Sequence, residues 1–157
     1  MNLAPTMLLL ILLFSGCASR PHLLQIESSE PSRNQDQAKI LSIAKELIGT
    51  KYRFGGTDPT TGFDCSGYVA YVYREAVGID LPRQTRDQIE MGMHVSDPLK
   101  VGDMVYFKIS APNAWHTGIY IGHGKFIHAP RTAGAVNIQE MTLPYWKKRF
   151  VGARRLL

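Results

Sequence analysis

Phe63-Asp64-Cys65-Ser66-Gly67, running on through Tyr68-Val69-Ala70-Tyr71-Val72-Tyr73-Arg74-Glu75-Ala76, is the stretch on which the reading of this chain turns. Val69, Val72, Tyr73 and Ala76 share one face at helical spacing and Gly78 stops the pattern, so the spacing predicts a helix from Cys65 or Ser66 to Ala76. That helix opens on a cysteine. Unsatisfied N–H groups and the dipole at a helix start favour a thiolate, by at most about 2 kcal/mol or roughly 1.5 pK units. From an ordinary value of about 8.5, this brings the thiol close to neutrality. Going lower takes a cationic neighbour, usually a histidine.

Working outward, Ile40, Leu41, Ala44, Leu47 and Ile48 repeat at helical spacing before Gly49, which predicts an amphipathic helix from Gln37 to Ile48. Tyr52 to Gly62 reads as a loop rich in glycine, and Gln84 to Met91 as a shorter helix. After Pro98 the texture changes to strands: Met104–Phe107, His116–Ile121, Lys125–His128, Ala135–Gln139 and Phe150–Leu156. Gly122-His123-Gly124 is a hairpin turn signal. Helices first and antiparallel strands after them indicate an α+β domain, its N-terminal helices packed on a C-terminal sheet.

The N-terminal segment carries a different signal. Leu8 to Phe14 is an unbroken apolar run, well short of the about 20 residues that span a bilayer. Its length suits a signal peptide, and Ser15-Gly16-Cys17-Ala18 follows. A cysteine in that place resembles the lipobox of bacterial lipoproteins, which implies a signal over 1–16, cleavage before Cys17 and lipidation of Cys17. Ala18, rather than Asp, implies transfer to the outer membrane, with the domain facing the periplasm. Residues 17–36 are polar, with Pro21, Pro31 and several serines, and read as a tether. The remaining segment, 37–157, is long enough for one core and too short for two domains.

The chain has two cysteines. With Cys17 assigned to the lipid anchor, Cys65 is left without an obvious partner in an exported protein, where disulfides normally form. Chemistry is then a better reason for it than packing. The formal net charge of +5 includes a cluster of Lys147, Lys148, Arg149, Arg154 and Arg155. In an exported chain this suits an anionic wall or lipid surface, and no nucleic acid is expected as partner.

The hairpin supplies the histidines. A turn centred near Gly122 or His123 sets His116 opposite residues 128 to 130. If His116 pairs directly with His128, both rings share a face; a slip of one residue would separate them. In that arrangement His116 pairs with the Cys65 thiolate and later protonates the leaving amine. His128 hydrogen-bonds the far nitrogen of His116 and fixes its orientation. The Cys65 N–H and the Tyr52 hydroxyl are candidate oxyanion donors. Zinc held by Cys65, His116 and His128 is the competing chemistry, against which stands the lack of C-x-x-C or H-x-x-x-H ligand pairs. Neither a metal nor a cofactor is expected.

Seven segments in order resemble the NlpC family of bacterial cell-wall cysteine peptidases: Tyr52–Gly56, Phe63–Gly67, Leu81–Arg83, Val101–Asp103, His116–Tyr120, Phe126–Ala129 and Tyr145–Lys148. The likeness runs from about Ala38 to Leu156 and extends to enterobacterial outer-membrane lipoprotein murein endopeptidases. It implies a papain-like fold, Cys65 as nucleophile, His116 as general base and His128 as the polar residue that orients it. Tyr52 matches a tyrosine near the oxyanion, while Asp64, Ser66 and Arg83 match positions flanking the substrate groove. Thr117 stands where valine is more usual, and the loop from Thr57 to Gly62 is one residue longer than in close relatives.

The implied substrate is peptidoglycan, cut preferably at the D-alanyl–diaminopimelate cross-link, or alternatively at the γ-D-glutamyl–diaminopimelate bond of the stem, by a protein expected to be monomeric. Two other classes compete. One is a wall-binding lipoprotein without catalysis, against which the intact Cys65, His116 and His128 argue. The other is a thiol acyltransferase or lipid amidase using the same groups.

Overall fold

The computed structural model describes residues 29–96, 98–109 and 114–157; the expected signal peptide, Cys17 and the first part of the tether lie outside them. Helix α1 spans Ser29–Glu46. It starts within the stretch read as tether, so residues 29–36 are helical, and it ends short of Ile48. Pro31 falls in the first turn, where the missing N–H costs nothing. Arg33–Glu30 at 3.2 Å and Lys39–Asp36 at 3.3 Å tie the polar turns together. Apolar periodicity begins only at Ile40, so it could not reveal the turns before it. Ile40 and Ala44 are fully buried, and Ala44 accepts a hydrogen bond at its carbonyl from the Tyr68 hydroxyl at 3.0 Å.

Strands β1 (Thr57–Asp58) and β2 (Gly62–Phe63) form a small antiparallel ladder leading into helix α2, Cys65–Val77. Asp64 is the N-cap of α2, accepting from the Gly67 N–H at 2.8 Å, and Gly78 closes the helix in the left-handed conformation. Position 67 must be glycine: a Cβ there would sit 2.0 Å from the Gly56 carbonyl oxygen. This close approach seats the first turn of α2 against the loop that carries Tyr52. Helix α3, Thr85–Gln88, is a single turn within the longer helix expected from Gln84 to Met91. After a short turn over 89–91 come Gly92, at a positive φ, and the strand β3 (Met93–His94).

The remaining strands are β4 (Met104–Lys108), β5 (Trp115–Gly122), β6 (Lys125–His128), β7 (Asn137–Glu140) and β8 (Phe150–Arg155). They join β3 in one antiparallel sheet of order β3-β8-β4-β5-β6-β7. Ala135, expected to open β7, is instead in an isolated bridge to Lys51. Between β7 and β8 lies helix α4, Pro144–Arg149, in a segment where the sequence reading placed no element. Its signal is proline at the first helical position.

The sheet is buried on both sides. One face packs Met104, Tyr106, Ile119, Ile127 and Ala129 against α1 and α2. The other joins Val105, Phe107, Phe126 and Ala153 to Trp146 of α4.

The β5–β6 register corrects the direct pairing of the two histidines. Ile119 pairs with Ile127 and Tyr120 with Phe126, and the register shifts before Gly122–Lys125. Carried along the strands, this sets Gly118 opposite His128 and His116 two residues further on. The offset is even, so both rings still lie on one face. Gly118 makes the room: a Cβ there would come within 3.1 Å of the His128 Cβ and 2.7 Å of the Ile127 carbonyl oxygen. At that end β5 projects beyond β6, and the cleft described next opens there.

Candidate active site

Cys65 comes from the first position of α2, His116 from the start of β5 and His128 from the end of β6. All three line one cleft of about 720 Å³, together with Tyr52, Asp64 and Trp146. Cys65 is a free thiol. Its Sγ lies 3.7 Å from the Thr85 Oγ1, and the backbone N–H of Thr117, the residue after His116, also lowers its pKa. The helix α2 is thus docked against the strand that bears His116. Among the described residues, no hydrogen bond joins the thiol to His116.

His116 Nε2 and His128 Nδ1 are 2.6 Å apart, so the orienting contact expected between these rings forms. The pair is enclosed by aromatics. Trp146 stacks on His116 with centroids 5.7 Å apart and meets His128 edge-on at 5.1 Å, while Phe126 lies 4.8 Å from His128. Desolvation follows. It lowers His116 to a pKa of about 4, and burial with the neighbouring His116 lowers His128 to about 3.

Burial likewise raises the Cys65 pKa, and Asp64 adds to the rise, outweighing the hydrogen bonds that lower it. This corrects the expectation of a thiol brought down toward neutrality. The helix start is present, but burial and the adjacent carboxylate oppose it, and the dry histidines supply no cation. At neutral pH the resting pair is a neutral thiol and a neutral imidazole.

Asp64, Ser66 and Arg83 are brought together, though as a scaffold for the thiol more than as a groove. Arg83 Nη1 donates to Asp64 Oδ1 at 3.0 Å and Nη2 to Oδ2 at 2.6 Å. Arg83 Nη1 also donates to Ser66 Oγ at 2.9 Å, and the Gly55 N–H donates to Asp64 at 3.0 Å. Asp64 lines the cleft; Ser66 and Arg83 do not. Tyr52 does, its backbone N–H held by the Gly134 carbonyl at 2.7 Å. Burial, then Cys65 and Asp64, raise its pKa, which keeps the hydroxyl protonated as a donor.

Three contributors escaped the sequence reading as site residues: Thr85, Trp146 and Gln88. Gln88, fully buried, donates from Nε2 to the Ser66 carbonyl at 3.0 Å and the Pro82 carbonyl at 2.9 Å, locking the second residue of α2 to the loop before α3. Among the described residues, no cluster of three or more His, Cys, Asp or Glu is placed to hold a metal ion.

Comparisons with known proteins agree with this architecture. The model of the NlpC/P60 family matches residues 49–155. The chain is 43% identical over 127 residues to the murein DD-endopeptidase MepS/murein LD-carboxypeptidase of Escherichia coli K12, covering 80% of this chain and 66% of that protein. It is 42% identical over 118 residues to the gamma-DL-glutamyl hydrolase of Bacillus subtilis 168, covering 74% of this chain and 28% of the relative. This chain thus spans just under two thirds of the first relative and under a third of the second. Among solved structures, the NlpC/p60 domain of the peptidoglycan hydrolase SagA superposes with a TM-score of 0.65 at 32% identity, covering 76% of this chain and 98% of that domain.

Proposed function

This chain belongs to the NlpC/P60 family, and from that premise we propose that it is a peptidoglycan endopeptidase working through a thioester acyl-enzyme. The observation that carries the reading is the cleft in which a free thiol at a helix start shares its walls with a hydrogen-bonded histidine pair.

His116 Nε2 is engaged by His128, which leaves Nδ1 to take the Cys65 proton as Sγ adds to the carbonyl carbon of the substrate. The carbonyl oxygen takes the negative charge, met by the Cys65 N–H and the Tyr52 hydroxyl. On collapse the C–N bond breaks, and His116 returns its proton to the departing amine. A water then adds to the thioester, giving a proton to His116; on collapse the C–S bond breaks, His116 returns that proton to Sγ, and the product acid leaves the free thiol restored. Because thiol and imidazole start neutral, one proton transfer within the cleft creates the nucleophile, and no net protonation change is needed to begin.

The bond we favour is the D-alanyl–diaminopimelate cross-link, supported by the resemblance to MepS. Resemblance to a gamma-DL-glutamyl hydrolase supports the second reading, cleavage of the γ-D-glutamyl–diaminopimelate bond in the stem peptide. The test incubates the full chain in mild detergent with purified cross-linked muropeptides, beside Cys65→Ser, and reads products by chromatography and mass spectrometry. Loss of dimers with gain of tetrapeptide monomers, in the parent alone, is the expected result. Fragments cut after D-glutamate would keep the mechanism and change the bond. Binding without cleavage would overturn the enzyme.

We also propose that lipidated Cys17 anchors the chain to the outer membrane as a monomer facing the periplasm. Incorporation of labelled fatty acid, lost in Cys17→Ala, is the corresponding test.

A further inference from the structure

The hydrogen bond between His116 and His128 leaves one question of chemistry open: which of the two rings donates. The answer decides whether His116 offers a lone pair or a proton to Cys65. It is set at the far end of His128.

His128 Nε2 is buried and makes no hydrogen bond of good geometry. Around this ring stand His116 from β5, Phe126 from β6, Trp146 from α4 and Asn137 from β7. Phe126 offers only its aromatic ring, and Trp146, which meets His128 edge-on, carries an N–H donor and no acceptor. His116 is on the Nδ1 side. Asn137 pairs directly with His128 across the β6–β7 ladder, and residues paired in this way share a face. The Asn137 amide is not free to turn either way. Its Nδ2 donates to the Ala135 carbonyl at 3.0 Å, which leaves Oδ1 as the acceptor, and Oδ1 takes a long hydrogen bond from Gln139 at 3.4 Å.

We infer that Asn137 is a positioning residue for the proposed reaction: its amide oxygen, opposite His128 in the sheet, holds the proton of that ring on Nε2 and so fixes the tautomer of His116. An unprotonated Nε2, buried as it is, would set a lone pair against the lone pairs of Oδ1. With the proton on Nε2, His128 Nδ1 is an acceptor. His116 must then donate from Nε2, and its Nδ1 carries the lone pair that receives the thiol proton. The side chain of Asn137 also raises the pKa of His128 against the stronger effect of burial, as an acceptor facing an N–H does. Asn137 never meets the substrate in this scheme; it acts through two rings.

The inference rests on the proposed function, and its test is built to fail separately. Ring 15N spectra of the full chain in detergent report the tautomer of each histidine without any substrate. In the parent, both His116 and His128 should be protonated on Nε2. In Asn137→Leu, which removes the acceptor, His128 should lose that preference, and kcat on muropeptides should fall about 10–100-fold with KM little changed. Asn137→Asp restores an acceptor, so it should recover the parent tautomers. Its carboxylate should also move the acid limb of the pH–rate profile upward, which a role in packing alone would not do.

Unchanged ring spectra in Asn137→Leu would overturn the inference whatever the activity, as would a parent with either histidine protonated on Nδ1. If Asn137→Leu is unfolded, Asn137→Asp decides: a folded protein with parent tautomers and a shifted limb supports the role, and an unshifted limb overturns it. A parent that cleaves no muropeptide refutes the proposed function, while the spectra still judge the tautomer.

Discussion

The two halves of the cleft are built on opposite faces of one sheet, and by opposite means. The thiol half belongs to the face covered by α1 and α2, and charge organises it: Asp64 caps α2, Arg83 grips Asp64 through both oxygens, and Ser66 joins them. The imidazole half belongs to the α4 face, and there burial does the organising, with Trp146 and Phe126 around a pair of rings that find polar company chiefly in each other and in Asn137. Charges fix where the thiol sits without charging it. Aromatics, by burying the histidines, keep them neutral. The resulting neutral pair departs from the thiolate–imidazolium pair that a helix start beside a histidine suggests.

The largest effect should come from breaking the imidazole half at its centre. His128→Ala leaves His116 without its orienting partner and should lower kcat about 10–100-fold while keeping measurable turnover. Activity equal to the parent would remove His128 from the mechanism. Breaking the thiol half should read out differently. Asp64→Ala loses the helix cap and strands Arg83, and should cost about 2 kcal/mol in urea unfolding, at the upper end for a cap because a charge-assisted bond is lost with it. An unchanged midpoint would mean that the Asp64 network contributes little to the fold.

Next in size is the acid response. In the fold His116 and His128 stay neutral down to about pH 4 and about pH 3, whereas unfolded histidines bind protons near 6.5. The unfolded state therefore takes up more protons in this window, and stability should fall as pH drops from 6.5 toward 4. Trp146→Leu admits water to the rings, so the acid limb of activity should move up from about 4 toward 6.5. A limb that stays in place would show that the aromatic wall does not set the pKa. The smallest effect belongs to Thr85→Val, which removes a bond favouring the thiolate. It should raise the thiol pKa further, seen as slower alkylation at a given pH.

What was legible in the sequence follows the same division. Cys65 at a helix start, and His116 and His128 on one face of a hairpin, depend on local spacing, and the structure brings them to one cleft. The exact histidine register was not legible, because the shift between Tyr120 and Gly122 is a feature of the turn that alternation does not encode. Nor was the sign of the thiol shift. It depends on how deeply Cys65 is buried, and the packing of α2, α3 and β5 around it has no trace in neighbouring residues. Trp146 and Thr85 reach the site from elements distant in the chain, and the polar turns of α1 carry no apolar period.

Strand order also bears on when the cleft comes into being. The strand β8 follows α4 in the chain yet lies inside the sheet, between β3 and β4. Cys65 is made early, but the wall that dries its base arrives with residues 144–149 and is backed by the strand after them. Such non-local pairing is slow to form. In a chain delivered from its N-terminus, the sulfur is therefore present well before the last strand threads into the middle of the sheet and completes the wall behind its base.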